Sequence, residues 1–141
     1  MLFGNRRSLL TPQFRLGPEL VPNPDFSNNG SGWQVANSDA THIVTFANNT
    51  ARYQSDTTSP SLTLFYPSIY TAGKRYITSA TVTVFVSGSG VKSEHANQAL
   101  NLQRVGTFWM LITATSTSLA FVRLGPNIDL TLSYASVRQV L

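Results

Sequence analysis

Residues 23–33 read Asn23-Pro24-Asp25-Phe26-Ser27-Asn28-Asn29-Gly30-Ser31-Gly32-Trp33, and this stretch decides the fold. Pro24 has no amide to donate, and Asn28, Asn29 and Gly30 accept the left-handed backbone of tight turns, so the segment ends one strand and reverses the chain. Trp33, followed by Gln34 and Val35, opens the next strand as a large aromatic anchor and is expected in the core.

Toward the C-terminus the same punctuation recurs at the spacing of an all-β sandwich. Residues 41–46 and 51–54 flank Asn48-Asn49 and predict a hairpin, and residues 61–66 predict a strand that Pro67 ends. The clearest strand covers residues 76–86. Ala80, Val82, Val84 and Val86 fall on one face, with Ser79, Thr81, Thr83 and Phe85 on the other, the alternation of an antiparallel sheet with one buried side. Ser87-Gly88-Ser89-Gly90 terminates it, and residues 92–104 are polar enough to fit either a short helix or a loop.

Residues 108–115 are a second strong strand, with Phe108, Met110 and Ile112 on one face and Trp109 and Leu111 on the other. Residues 119–124 follow, Gly125-Pro126-Asn127 breaks the run, and residues 130–140 close the domain. The expectation is an all-β, jelly-roll β-sandwich of about eight antiparallel strands over residues 21–141.

Toward the N-terminus, residues 1–20 combine short apolar pairs with Gly4, Pro12, Gly17 and Pro18 and hold no sustained period. They are expected to form an extended N-terminal docking arm whose partner-binding residues are Leu2, Phe3, Arg6, Arg7, Leu9, Leu10, Phe14, Arg15 and Leu16. Ordering such a segment costs about 1–2 kcal/mol of backbone entropy per residue. Burying those apolar groups, with the arginines bonded to a partner's carboxylates or carbonyls, would offset that.

Composition narrows the function. Charged residues make up only 11% of the chain, and its polarity comes instead from 16 Ser, 16 Thr and 10 Asn. Thr suits the solvent face of a strand, Ser and Asn suit turns, and a weakly charged surface suits packing among neighbours. The net charge of +4 is too small, and its arginines too mixed with leucines, for a specific nucleic-acid tail. With no Cys, disulfides, thiolate metal sites and cysteine nucleophiles are excluded. The first residues lack the apolar run of a signal peptide, and no segment is apolar for long enough to cross a bilayer as a helix.

Residues 21–141 resemble the jelly-roll domains of carbohydrate-binding modules of the xylanase-associated type. Besides residues 23–33, the resemblance is carried by Thr71-Ala72-Gly73-Lys74-Arg75-Tyr76, similar to the Gly-Lys-x-Tyr start of a long strand. Gly106-Thr107-Phe108-Trp109 leading to Thr113-Ala114-Thr115, and the closing Ala135-Ser136-Val137-Arg138, complete it. The resemblance implies Tyr76 as the anchor of a strand start. In that family an Asp of the last strand completes a structural calcium site. Ser133 stands at that place here and Asp25 alone remains, so neither metal nor cofactor is expected. In layout, a free-standing sandwich behind a short arm resembles small virion proteins of tailed bacteriophages, capsid decoration (cement) proteins and tail or fibre components among them.

Catalytic candidates are thin. The six carboxylates, Glu19, Asp25, Asp39, Asp56, Glu94 and Asp129, lie at the arm junction, in loops or after turns and suggest no acid–base pair. His42 and His95 have no metal-ligand spacing. Ser89 lacks the Gly-x-Ser-x-Gly frame of a nucleophile elbow. Glycan or interface aromatics are Tyr53, Tyr66, Tyr70 and Trp109, with Tyr134 a further sugar platform. The sequence-based expectation is a non-enzymatic virion structural protein, a capsid decoration subunit that stabilises an assembled shell at the particle surface. It would be made in the host cytoplasm, bind major capsid or other virion proteins, and assemble as a homo-oligomer, a trimer foremost. The alternative is a carbohydrate-binding module or a tail-fibre receptor-binding domain with a glycan as ligand. Exposed aromatics aligned on one sheet face would favour that alternative.

Overall fold

The computed structural model describes residues 15–141, which build a jelly-roll sandwich of two antiparallel sheets. Its strands are β1 (Leu16–Glu19), β2 (Gln34–Ala36), β3 (His42–Ala47), β4 (Thr50–Ser55), β5 (Thr63–Tyr66) and β6 (Arg75–Ser87). They continue with β7 (Val91–His95), β8 (Gln98–Leu102), β9 (Gly106–Thr113), β10 (Leu119–Arg123) and β11 (Ile128–Val140). The large sheet has the order β3-β4-β11-β6-β9, and the small sheet β2-β5-β10-β7-β8. β11 is the spine of the large sheet. β6 runs along one of its edges, while β4 covers Ile128–Leu132 and β1 covers Arg138 and Val140 on the other.

The stretch at residues 23–33 folds as its composition dictates. Ser27–Gly30 is a single helical turn with left-handed backbone at Phe26, Asn28 and Asn29. Asn23 ties it down: its Nδ2 donates to the Ser27 and Ser31 carbonyls at 2.8 and 2.9 Å, and its Oδ1 accepts from the Ser27 hydroxyl at 2.7 Å. Gly30 sits at φ +71°, where a β-carbon would lie 2.3 Å from the Phe46 ring, so both conformation and space demand glycine. Trp33 is buried against Phe26 and Phe121, edge-on to Tyr66, and its indole N–H donates to the Asn23 carbonyl at 2.8 Å. Tyr76 is likewise buried at the start of β6, its hydroxyl accepting from the Thr71 amide at 2.7 Å.

Four expectations need correction. Residues 92–104 are neither helix nor loop: they carry the β7–β8 hairpin, which turns at Ala96 with φ 51°. The inward positions of β7 are Val91, Ser93 and His95, so two of its three buried residues are polar. Together with β1, this raises the described strands to eleven. In β6, Ala80 and Val82 face the core, but Val84 and Val86 are exposed and Phe85 packs inward. A bulge at Thr83, which has no partner between Val82↔Leu132 and Val84↔Thr131, shifts the alternation by one residue. Finally, the sandwich begins inside the stretch read as an arm. Leu16 pairs with Val140, Glu19 pairs with Arg138, and the Leu141 amide donates to the Arg15 carbonyl at 2.8 Å. Leu2, Phe3, Arg6, Arg7, Leu9, Leu10 and Phe14 lie outside the described residues.

Candidate functional site

The outer face of the large sheet gathers the exposed aromatics of the described residues. Trp109 on β9 is 63% exposed and Tyr134 on β11 is 39% exposed. Pleating explains Trp109: Phe108, Met110 and Ile112 pack inward, so the odd-numbered residues of β9 face out. Tyr134 faces out for a different reason. Leu130 and Leu132 are buried, so simple alternation would bury Tyr134 as well, yet the next buried residue is Ala135. Ser133 is left unpaired between Leu132↔Val82 and Tyr134↔Thr81, and this bulge turns Tyr134 outward. A phase change of the apolar pattern between Leu132 and Ala135 is the sequence signal for it.

Between the two rings lies a floor of hydroxyls. Trp109 pairs across to Ser79 and on to Ser136, and the adjacent row runs Thr107, Thr81, Tyr134. Thr81 and Thr107 share a hydrogen bond of 2.8 Å between their hydroxyls, and Ser136 donates to Glu19. The ring-bearing residues are two strands apart and one outward row offset, a diagonal of about 12 Å from strand spacing and rise. Partial burial and, after it, the neighbouring carboxylates Glu19 and Asp25 raise the Tyr134 pKa.

Carboxylates flank Tyr134, with Glu19 bonded to Ser136, and two arginines stand toward the ends of the face. At one end Arg138 donates to the Gly17 carbonyl at 2.7 Å. At the other Arg52 holds Asp129 in a two-pronged pair of 2.9 and 2.7 Å, and those hydrogen bonds lower the Asp129 pKa. The arrangement offers ring faces and neutral donors and acceptors in its middle, the equipment for an uncharged, hydroxyl-rich ligand.

A second feature is a surface depression of about 290 Å³ lined by Thr41, Gln54, Ser55, Asp56, Ser87, Asn127 and Ile128. Behind it the β3–β4 pairing brings His42 to Ser55, with Nδ1 and Oγ 2.8 Å apart. The other ring nitrogen meets the Thr58 hydroxyl at 3.0 Å and Asp56 at 3.6 Å. Sequence reasoning missed this grouping, because the hairpin register alone brings His42 and Ser55 together. His42 is 0% and Ser55 3% exposed, and Arg123 also reaches the Ser55 hydroxyl at 3.4 Å. These contacts tether the loop after β4 and leave the hydroxyl hidden from an incoming substrate.

The predicted aromatics separate sharply. Tyr53 is buried, its hydroxyl donating to the Leu62 carbonyl at 2.5 Å, and its pKa is pushed up to about 12, chiefly by burial. Tyr70 is buried as well, bonded to Thr78 at 2.8 Å and edge-on to Tyr76 and His95. Neither presents a ring to solvent. Tyr66 is half-buried against the core and edge-on to Trp33, leaving Trp109 as the exposed aromatic of that set. Arg15 is exposed at the start of the described chain and Leu16 is half-buried in β1. Among the described residues, no group of three His, Asp or Glu side chains comes together.

No family model matches the chain, and no curated protein matches its sequence. Among solved structures it is similar to one described as "CBM4 structure and function", with 14% identity over 86% of this chain and 94% of that chain and a TM-score of 0.46.

Proposed function

We propose that this chain is a non-catalytic glycan-binding module whose ligand lies on the outer face of the large sheet. The observation that carries this reading is the pair Trp109 and Tyr134, exposed on one face across the hydroxyls of Ser79, Thr81 and Thr107. Aromatic faces stack on the C–H faces of sugar rings, and hydroxyls on strands supply both donors and acceptors to sugar hydroxyls. With the Glu19 carboxylate at Ser136 and no cation between the two rings, the face suits a neutral saccharide better than a uronic acid or a phosphate, for which charged donors would be needed. The roughly 12 Å between the two positions is longer than one sugar ring, so an oligosaccharide engages both where a monosaccharide reaches one.

Affinity electrophoresis in gels containing neutral polysaccharides, together with a glycan array, tests this. Retardation in at least one polysaccharide is expected. Trp109→Ala or Tyr134→Ala should weaken it by roughly tenfold, about 1.4 kcal/mol, without a change in the circular dichroism spectrum. Absence of any ligand, or binding untouched by both substitutions, defeats the reading.

A second reading, a capsid decoration or cement subunit on a virion surface, draws on the sparse charge of 11% and on the exposed Val84, Val86 and Val105. Such apolar surface is what a neighbouring subunit would cover. In that reading the residues before Arg15 dock on the shell. A chain beginning at Arg15 would keep the sandwich and lose its place on the particle. If the full chain neither binds capsids nor changes their resistance to heat, this reading fails.

A further inference from the structure

We infer that the chain dimerises about a two-fold axis by pairing β9 with β9 of a second copy, centred on Trp109, so that two large sheets become one. β9 is the edge strand beyond β6, and it pairs with β6 alone among the described residues. The Ala114 amide donates to the Lys74 carbonyl at 2.9 Å. By the alternation of an antiparallel ladder, Phe108, Met110 and Ile112 therefore direct their backbone groups to β6. Thr107, Trp109, Leu111 and Thr113 direct theirs outward. Thr113 is already occupied, its amide donating to the Gln98 side chain at 2.7 Å. Thr107, Trp109 and Leu111 are left as an open row with Trp109 at its midpoint.

That row is self-complementary. An antiparallel copy with Trp109 opposite Trp109 of the second copy places Thr107 opposite Leu111 of the second copy, and each open amide meets an open carbonyl. A slip by one residue sets outward groups against inward ones, and a slip by two leaves an end of the row unpaired. The Gln98 cap on Thr113 stops the ladder from running further.

The chemistry of β9 also fits its own copy. Gly106-Thr107-Phe108-Trp109-Met110-Leu111-Ile112-Thr113 holds no charge and no proline, so no like charges face each other within the paired strands, and Arg104 lies over the Phe108 ring at 5.0 Å. The strand also lacks the devices that keep an exposed edge from pairing. Both faces of the strand are incompletely buried, Phe108 and Met110 on the inner side and Trp109 and Leu111 on the outer. In the pair, Phe108 would lie beside Met110 of the second copy and complete the inner layer. A two-fold contact of this kind replaces the trimer expected from the sequence, and it holds whatever the outer face binds. Its consequence for that face is continuity: two Trp109 rings stand at the centre, with a Tyr134 on each side.

Sedimentation equilibrium of the full chain, whose mass is 15.4 kDa, is expected to show a species of twice that mass growing with concentration. Leu111→Lys, which puts a charge on the open row, is expected to shift the population to monomer. The natural chain has no cysteine. Mild oxidation of a mixture of Thr107→Cys and Leu111→Cys should therefore give a cross-linked heterodimer that neither variant gives alone, since paired Cα atoms at about 5.5 Å lie within disulfide range. Circular dichroism verifies that each variant is folded, and if Leu111→Lys is not, the cysteine pair decides. A chain monomeric at every concentration, a three-chain species, or failure of the 107–111 cross-link overturns the proposal.

Discussion

The chain has two tryptophans, and the sandwich uses them in opposite ways. Trp33 is 7% exposed, enclosed by Phe26, Tyr66 and Phe121, with its indole N–H bonded to Asn23. Trp109 is 63% exposed on an edge strand. Both follow a glycine-containing segment and both precede alternating residues, so their immediate sequence does not separate them. The difference lies in what each strand faces. β2 begins over the core, held there by the Asn23 turn, whereas β9 already fills the core with Phe108, Met110 and Ile112 and has a spare face. Stability is therefore concentrated around Trp33, while Trp109 is left open to the binding proposed for it.

The largest effect that would break this contrast is Trp33→Ala. It should cost about 3–5 kcal/mol of stability, the range for deleting a buried large aromatic, as measured by urea unfolding. A small loss there would mean that the Trp33 pocket collapses without consequence. Gly30→Ala comes next, at about 2–3 kcal/mol, because a left-handed backbone and a clash with the Phe46 ring add together. An unchanged midpoint would show that the turn beside Trp33 yields easily.

Acid should sharpen the contrast at intermediate size. His95 is buried edge-on to Tyr70, and its Nδ1 accepts the Thr115 amide at 3.1 Å, just beyond β9. Burial lowers its pKa below 6.5, so on acidification the unfolded chain takes the proton first. Stability from this residue is complete above pH 6.5 and is lost as pH falls through the depressed folded value. Hydrogen exchange is expected to show β9 losing protection before β2 as pH drops toward 5. Equal loss in both strands, or the same profile in His95→Asn, would contradict this. The smallest effect belongs to Trp109→Ala, which should change stability by no more than about 0.5 kcal/mol while weakening the proposed glycan binding by roughly tenfold. A large stability loss there would make Trp109 a core residue after all.

Much of the sandwich was legible because its strands alternate cleanly and its turns are chemically marked. The Asn48-Asn49 hairpin, Trp33 and the division of β9 into two faces follow from local pattern, and Tyr76 follows from the family resemblance. The pattern failed where a buried position is polar, as with Ser93 and His95 in β7, since apolar periodicity cannot register a histidine that is buried by its hydrogen bonds. It also failed at the bulges of Thr83 and Ser133, which depend on two strands meeting out of step and not on either one alone. The site suffered most from this. Tyr53 and Tyr70 are as aromatic as Trp109, and only tertiary packing decides which ring sees water.

The position of β11 bears on how the chain folds in time. It is the last strand along the described chain, yet β1, β4 and β6 all pair with it. During synthesis β4 and β6 must wait with open edges until residues 128–140 have emerged, so the large sheet closes only after its spine arrives. Contacts of such sequence separation carry a loop-closure cost before any pairing repays it, which places this domain among the slow folders. A nascent or C-terminally clipped chain lacking β11 is left with unsatisfied strands, the state in which sheets pair with the wrong partner.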